Sequence, residues 1–152
     1  MFSTFMIGAV SAAALLALST GAYAVEQFAT APEAKALLER AVPLVKADKT
    51  TAFATFNKGE DGFRDRDLYV FCFNIADGKA NAGPPNLIGT DIRTLKDKTG
   101  YAFGEHLSSD SVDGQITQVS YMFPRPSSTE PVQKVSYITR IADQVCGVGY
   151  YK

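Results

Sequence analysis

The stretch from Thr30 to Gly59 most constrains the fold, because its pattern predicts a helix of nearly thirty residues with a single apolar face. Thr30 and Glu33 form the pattern of a capping box, and Pro32 suits a first helical turn. Pro43 removes one amide donor inside the run, so we expect a kink there. The apolar positions are Leu38, Val42, Val45, Ala52, Phe53 and Phe56. A helix with one apolar face must pack on something flat.

A sheet on which this helix can pack is predicted downstream, as a set of short strands. These strands cover residues 68–74, 79–82, 116–123, 132–141 and 144–151. Asp77 and Gly78 form a strong hairpin signal after the first strand, and Ala142 and Asp143 form a tight turn before the last. Residues 83–113 are predicted to be loops with one or two short helices that cross over the sheet. This order of elements indicates an α+β fold.

Residues 1–24 have the features of a secretory signal peptide. They carry no charged side chain, and the apolar run 6–18 is too short for a comfortable membrane span. The run is followed by Ala22-Tyr23-Ala24, the small-x-small pattern that a signal peptidase cleaves. We predict cleavage after Ala24, a single domain over residues 25–152, and a periplasmic or secreted location. An uncleaved N-terminal membrane anchor stays open as the alternative, because no Lys or Arg precedes the apolar run.

The charge and the cysteines narrow the possible partners and chemistry. The formal net charge of −1 argues against binding to nucleic acid or anionic lipid. Cys72 and Cys146 are an even count in an exported chain, which favours a disulfide; two buried thiols are the alternative. His106 is the one histidine, and the spacings typical of zinc sites, serine hydrolases and phosphate-binding loops are absent. We therefore predict neither an enzyme nor a cofactor.

Aromatic and cationic side chains alternate along the predicted strands. Tyr121 and Phe123 share one face, while on the next strand Lys134 lies on one face and Tyr137 on the other. Small-molecule pockets are apolar cavities with a few polar groups, and a lysine beside tyrosine hydroxyls suits a carboxylate. The alternative interpretation is that these rings only fill a core against the long helix.

Four segments together resemble the single Cache domain, type 2, a family of extracytoplasmic small-molecule sensor modules with a PAS-like fold. The segments are residues 62–79 (GFRDRDLYVFCFNIADGK), 87–104 (LIGTDIRTLKDKTGYAFG), 119–126 (VSYMFPRP) and 133–152 (QKVSYITRIADQVCGVGYYK). The resemblance implies a five-stranded antiparallel sheet with the long N-terminal helix on one side and a ligand cavity on the other. It also makes the first and last strands neighbours, which favours the bridge between Cys72 and Cys146.

The resemblance further implies which residues line the ligand cavity. They are Tyr69 and Phe71 on the first strand, Tyr121 and Phe123 on the third, and Lys134 and Tyr137 on the fourth. Relatives often carry a tryptophan where Phe123 stands, and a histidine where the segment NAGPPN (residues 81–86) has Gly83.

Two functions are compatible with these features. The first is a stand-alone periplasmic or secreted module that binds or senses a small organic carboxylate. Because the sequence stops directly after its last strand, we expect no output domain of its own, and a membrane receptor or signalling partner would receive the signal. The alternative is a protein-interaction module that docks on a membrane receptor or a secreted partner without any small ligand.

Overall fold

The computed structural model describes residues 27–152. The predicted signal peptide, its cleavage after Ala24 and the alternative anchor therefore lie outside the described residues. Within residues 27–152, no helix combines the length and the apolar character that are needed to cross a membrane.

Two consecutive helices form the predicted long helical segment: α1 (Ala31–Ala47) and α2 (Lys49–Lys58). Helix α1 begins as predicted, since the Glu33 carboxylate accepts the backbone N–H of Thr30 at 2.7 Å. It continues through Pro43, and the break falls instead at Asp48. The backbone of Asp48 is extended and its carboxylate accepts the Thr51 N–H at 3.2 Å, so Asp48 caps the second helix rather than continuing the first.

The described residues form a six-stranded antiparallel sheet. Its strands are β1 (Arg64–Asp65), β2 (Leu68–Asn74), β3 (Ala80–Ala82), β4 (Thr117–Pro124), β5 (Pro131–Ile141) and β6 (Gln144–Tyr151). The spatial order is β1-β2-β6-β5-β4, with β3 paired to β2. The five predicted strands are confirmed to within about one residue at each end, and the two-residue β1 is the additional one. As the resemblance implied, β2 and β6 are neighbours.

The pairing of β2 with β6 places Cys72 directly opposite Cys146, and the two residues form a disulfide. Both sulfurs lie on the face of the sheet that packs against α1 and α2, together with Val70 and Val148. The disulfide therefore links β2 to β6 beneath the helices. Of the two alternatives for the cysteines, the disulfide is confirmed.

The other face of the sheet is covered by residues 83–113, which we call the covering segment. It contains a short 3-10 helix (Ile92–Thr94) and α3 (Phe103–Ser109), in line with the one or two short helices predicted there. The Asp97 carboxylate anchors the segment to β4 by accepting the Met122 backbone N–H at 3.1 Å. A second apolar cluster, which includes Phe73, Phe103 and Ile138, fills most of the space between this segment and the sheet.

Candidate ligand-binding site

A small cavity lies between the sheet and the covering segment. Its volume is about 30 Å³, which is room for about two water molecules. The lining residues are Tyr69, Phe71, Cys72, Ala80, Ala82, Pro84, Leu87, Ile92, Leu95, Phe103, Leu107, Tyr121, Phe123 and Lys134. In the described part of the chain, Lys134 is the only charged residue of this lining, so the cavity is an apolar chamber with one cationic group.

The Lys134 side chain is completely buried, with 1% of its surface exposed. Its Nζ donates a hydrogen bond of 2.7 Å to the hydroxyl of Tyr69. No ion pair joins it to a carboxylate of residues 27–152; Asp67, whose charge acts on it from a distance, pairs instead with Arg125. Burial lowers the pKa of Lys134 to about 7, although the charge of Asp67 opposes this shift.

Aromatic rings surround the ammonium group of Lys134. The distances from Nζ to the ring centroids are 4.4 Å for Tyr69, 5.0 Å for Phe123, 5.2 Å for Tyr151, 5.9 Å for Phe71 and 6.0 Å for Tyr121. The negative faces of such rings attract a cation within about 6 Å, but each contributes less than a carboxylate partner would. The rings reduce the cost of burying the charge without neutralising it.

Two glycines on β6 make room for the side chains at this site. A Cβ atom on Gly149 would lie 2.2 Å from Cε of Lys134, and one on Gly147 would lie 2.4 Å from the ring tip of Phe71. Any side chain at either position would displace these groups. Neither residue was predicted as part of the site, although their alternation in GVGYYK within a predicted strand indicates one face on which neighbouring side chains lie close to the backbone.

Tyr121 and Phe123 stand on β4 beside the cavity. The Tyr121 hydroxyl and the Ser136 hydroxyl are 2.9 Å apart, and the Tyr121 ring stacks on Phe103 with 4.2 Å between centroids. Phe123 meets Tyr121 edge-on at 6.0 Å. Burial raises the pKa of Tyr121 well above its ordinary value. These contacts fix the orientation of both rings at the cavity wall.

Tyr137 lies away from the cavity, which corrects its inclusion among the predicted site residues. It is on the helix-facing side of β5, where its ring stacks with Tyr150 at 5.9 Å between centroids. Successive side chains of a strand point to opposite faces, so Tyr137 cannot share a face with Lys134, three positions away. The structure brings the other five predicted residues together: Tyr69, Phe71, Tyr121, Phe123 and Lys134.

A wider cleft of about 550 Å³ adjoins the cavity. The two spaces share four lining residues, namely Tyr69, Pro84, Leu87 and Phe123. Three arginines, Arg64, Arg66 and Arg125, line the cleft. Arg66 pairs with Glu33 at 2.6 Å and Arg125 lies 3.5 Å from Asp67, so much of this positive charge is balanced locally. Side chains such as Phe123 and Leu87 form the partition between the cleft and the cavity.

The NAGPPN segment runs from β3 along this partition. Ala82 and Pro84 line the cavity, and the backbone N–H of Gly83 between them donates to the side-chain oxygen of Asn57 on α2 at 3.0 Å. The segment is thus fixed to the helical layer at the position where the resemblance placed a histidine.

Comparisons with known proteins match this architecture. A family model described as a Cache domain matches residues 43–152. A comparison with curated proteins gives no significant match. A methyl-accepting chemotaxis protein from Vibrio parahaemolyticus has a similar solved structure, with a TM-score of 0.65 and 22% identity over 79% of this chain and 86% of that one.

Two further solved structures are similar. The first is described as the periplasmic sensor domain of a chemotaxis protein, with a TM-score of 0.59 and 21% identity over 79% of this chain and 88% of that one. The second comes from work on carboxylic acid recognition by a Cache chemosensory domain, with a TM-score of 0.58 and 24% identity over 79% and 86% of the two chains. At these identities the similarity extends to the fold alone.

Proposed function

Because the chain belongs to the Cache domain family, we propose that it is a sensor module that captures a small organic carboxylate in the cavity beside Lys134. One observation carries the proposal: a completely buried ammonium group borders a cavity and forms no ion pair with a carboxylate of residues 27–152. Burying a charge without a partner is costly, and a carboxylate entering the cavity would supply that partner with a charge-assisted hydrogen bond.

The lining residues divide into polar and apolar roles. Lys134 balances the carboxylate, and the Tyr69 hydroxyl, already 2.7 Å from Nζ, fixes the position of the ammonium group. Phe71 and Phe123 supply apolar walls, and Tyr121 holds its ring in place through Ser136. A cavity of about 30 Å³, with room for about two water molecules, favours the smallest acids, and acetate or propionate enters fully only if side chains of its wall shift. A longer acid requires movement of Phe123 toward the adjoining cleft.

We also propose that the module works outside the cytoplasm, as residues 25–152 after cleavage of the signal peptide, and that it transmits its signal through a membrane receptor or signalling partner. The disulfide supports this location, because such bonds persist in oxidising compartments. The similarity to a periplasmic sensor domain of a chemotaxis protein supports it as well. The mechanism is capture, and no catalytic step is assigned.

The test compares charged and uncharged molecules of the same shape. Acetate and propionate, set against acetamide and propionamide, are screened by thermal shift and then by calorimetry at pH 6. A ligand at a hundred times its dissociation constant stabilises a protein by roughly 2.7 kcal/mol, so binding of either acid is readily measured. We expect the acids to stabilise the protein and the amides to have no effect.

Two variants complete this test. Lys134→Met should abolish the stabilisation by the acids. Lys46→Met, which removes an exposed lysine of α1 on the opposite side of the sheet, should preserve it. Equal stabilisation by acids and amides, or an unchanged response in Lys134→Met, would contradict carboxylate capture at Lys134.

A further inference from the structure

We propose that capture of a carboxylate at this site is coupled to the uptake of a proton by Lys134, so that occupancy depends on pH as well as on ligand concentration. This inference rests on the proposed function, and it concerns the regulation of the same cavity. It follows from where the amino group of Lys134 is held and from which groups face it.

The unliganded cavity disfavours the charged form of Lys134. An ammonium group has three N–H donors, and one of them is accepted by the Tyr69 hydroxyl. The remaining surroundings are the five aromatic rings described above and the apolar cavity. Removing a charge from water without a full set of partners favours the neutral amine, which retains the hydrogen bond to Tyr69.

Three tyrosines on three other strands of the sheet are the titratable groups around Lys134. Tyr69 on β2, Tyr121 on β4 and Tyr151 on β6 face it, and burial raises the pKa of each of these hydroxyls, that of Tyr151 to about 12. All three therefore stay neutral at any physiological pH. The covering segment contributes only apolar residues to the lining of the cavity.

Beyond the cavity wall, Asp67 acts on Lys134 from a distance and is paired with Arg125, while Arg64 and Arg66 line the adjoining cleft. The Asp67 carboxylate accepts the Ala29 N–H at 2.9 Å and lies 3.5 Å from Nε of Arg125. Its negative charge is therefore largely balanced by Arg125, whose guanidinium lies 5.2 Å from the Tyr151 ring. Among the described groups that face the cavity, the amino group of Lys134 alone changes charge near neutral pH.

The direction of the coupling follows from proton linkage. Without ligand the pKa of Lys134 is about 7, and a bound carboxylate raises it because an adjacent negative charge favours the ammonium form. Below pH 7 the site already carries its proton, so the affinity is insensitive to pH. Above pH 7 binding must also take up a proton, and the affinity falls by about tenfold per pH unit. Between pH 6 and pH 8 we expect a loss of about tenfold.

Calorimetry with acetate and propionate measures this coupling. Titrations at pH 6 and pH 8, each in two buffers of different ionisation enthalpy, give both the affinity and the number of protons taken up. We expect about tenfold weaker binding at pH 8, with uptake of nearly one proton there and about a tenth of a proton at pH 6. His106→Asn is the control: it replaces the one histidine of the sequence, which does not line the cavity, and it should leave both results unchanged.

A second measurement needs no ligand. In protein labelled with ¹³C and ¹⁵N at lysine, the side-chain resonance of Lys134 is assigned by its absence in Lys134→Met and followed by NMR from pH 5 to pH 10. We expect a midpoint near 7, and a midpoint near that of the exposed lysines would overturn the coupling. Equal affinity at pH 6 and pH 8 would also overturn it while leaving carboxylate capture intact. If neither acid binds at either pH, the proposed function fails and the coupling fails with it.

Discussion

Replacing Lys134 by methionine should stabilise the unliganded protein while abolishing its binding of carboxylates. Methionine is unbranched, apolar and similar in length to lysine. It can therefore occupy the same space above Gly149, which is open because glycine has no Cβ atom. The variant removes the buried amino group and leaves the aromatic walls in place. The difference in the free energy of unfolding between this variant and the wild type therefore measures how much the buried lysine destabilises the folded state.

The magnitude follows from the pKa of Lys134. In the unfolded chain a lysine has a pKa of about 10.4, and in the folded protein burial lowers that of Lys134 to about 7. Because the folded-state pKa is the lower one, the cost is complete below pH 7 and disappears as the pH rises toward 10.4. At 1.36 kcal/mol per pKa unit, the cost is about 4 kcal/mol at pH 7 and about 2 kcal/mol at pH 9. Loss of the hydrogen bond to Tyr69 offsets about 1 kcal/mol of the gain.

Urea denaturation tests this expectation. We expect the free energy of unfolding of Lys134→Met to exceed that of the wild type by about 3 kcal/mol at pH 7 and by about 1 kcal/mol at pH 9. Lys46→Met, at an exposed position on α1, should change it by less than about 0.5 kcal/mol at either pH. If Lys134→Met is less stable than the wild type at pH 7, or if its gain is the same at both pH values, the ammonium group is not desolvated and the reasoning fails.

Three further changes test other parts of the structure. Gly149→Ala should force Lys134 out of position, lowering the free energy of unfolding by about 1–3 kcal/mol and weakening propionate binding in calorimetry; wild-type affinity would contradict the assigned contact. The double change Cys72→Ser/Cys146→Ser should lower the free energy of unfolding by roughly 2–4 kcal/mol in urea, and an unaltered urea midpoint would show that the bridge contributes nothing. Tyr137→Phe should leave the affinity for propionate within about twofold by calorimetry, since the residue faces the helices; a larger loss would place Tyr137 at the site after all.

The strands could be predicted from the sequence because alternation and turn residues act locally. Residues 68–74 and 144–151 were predicted with their observed bounds. The two-residue strand β1 is too short to produce a pattern, and it depends on pairing with β2. The break at Asp48 was also missed, because Pro43 is the stronger local signal while an aspartate can either cap a new helix or lie on the surface of a continuing one.

The site could be predicted only in part. The alternation of side chains along each strand assigns the faces of the sheet correctly, and it already placed Tyr137 and Lys134 on opposite faces. Both residues were predicted to line the cavity only because the family resemblance implied it.

The tight turn at Ala142 and Asp143 already predicts that β6 lies beside β5, so the contribution of Tyr151 and the need for Gly149 were accessible from the sequence. The contact between Gly147 and Phe71 depends instead on the pairing of β2 with β6. That adjacency is a property of the sheet order, which residue patterns alone do not specify.

The expected energetics of Lys134 differ between a binding site and a core. A sheet face that served only to bury apolar surface would be more stable with an apolar residue at position 134, because the covering segment and the rings of β2 and β4 already surround that position with apolar groups. An unpaired amine there lowers the stability of the empty protein, and a bound carboxylate would recover part of that free energy by supplying an ion pair. Under the proposed function, the affinity for carboxylates and the instability of the empty protein therefore have one origin. Any substitution at position 134 that stabilises the empty protein should weaken carboxylate binding, whereas one that improved both would separate the lysine from the function proposed for it.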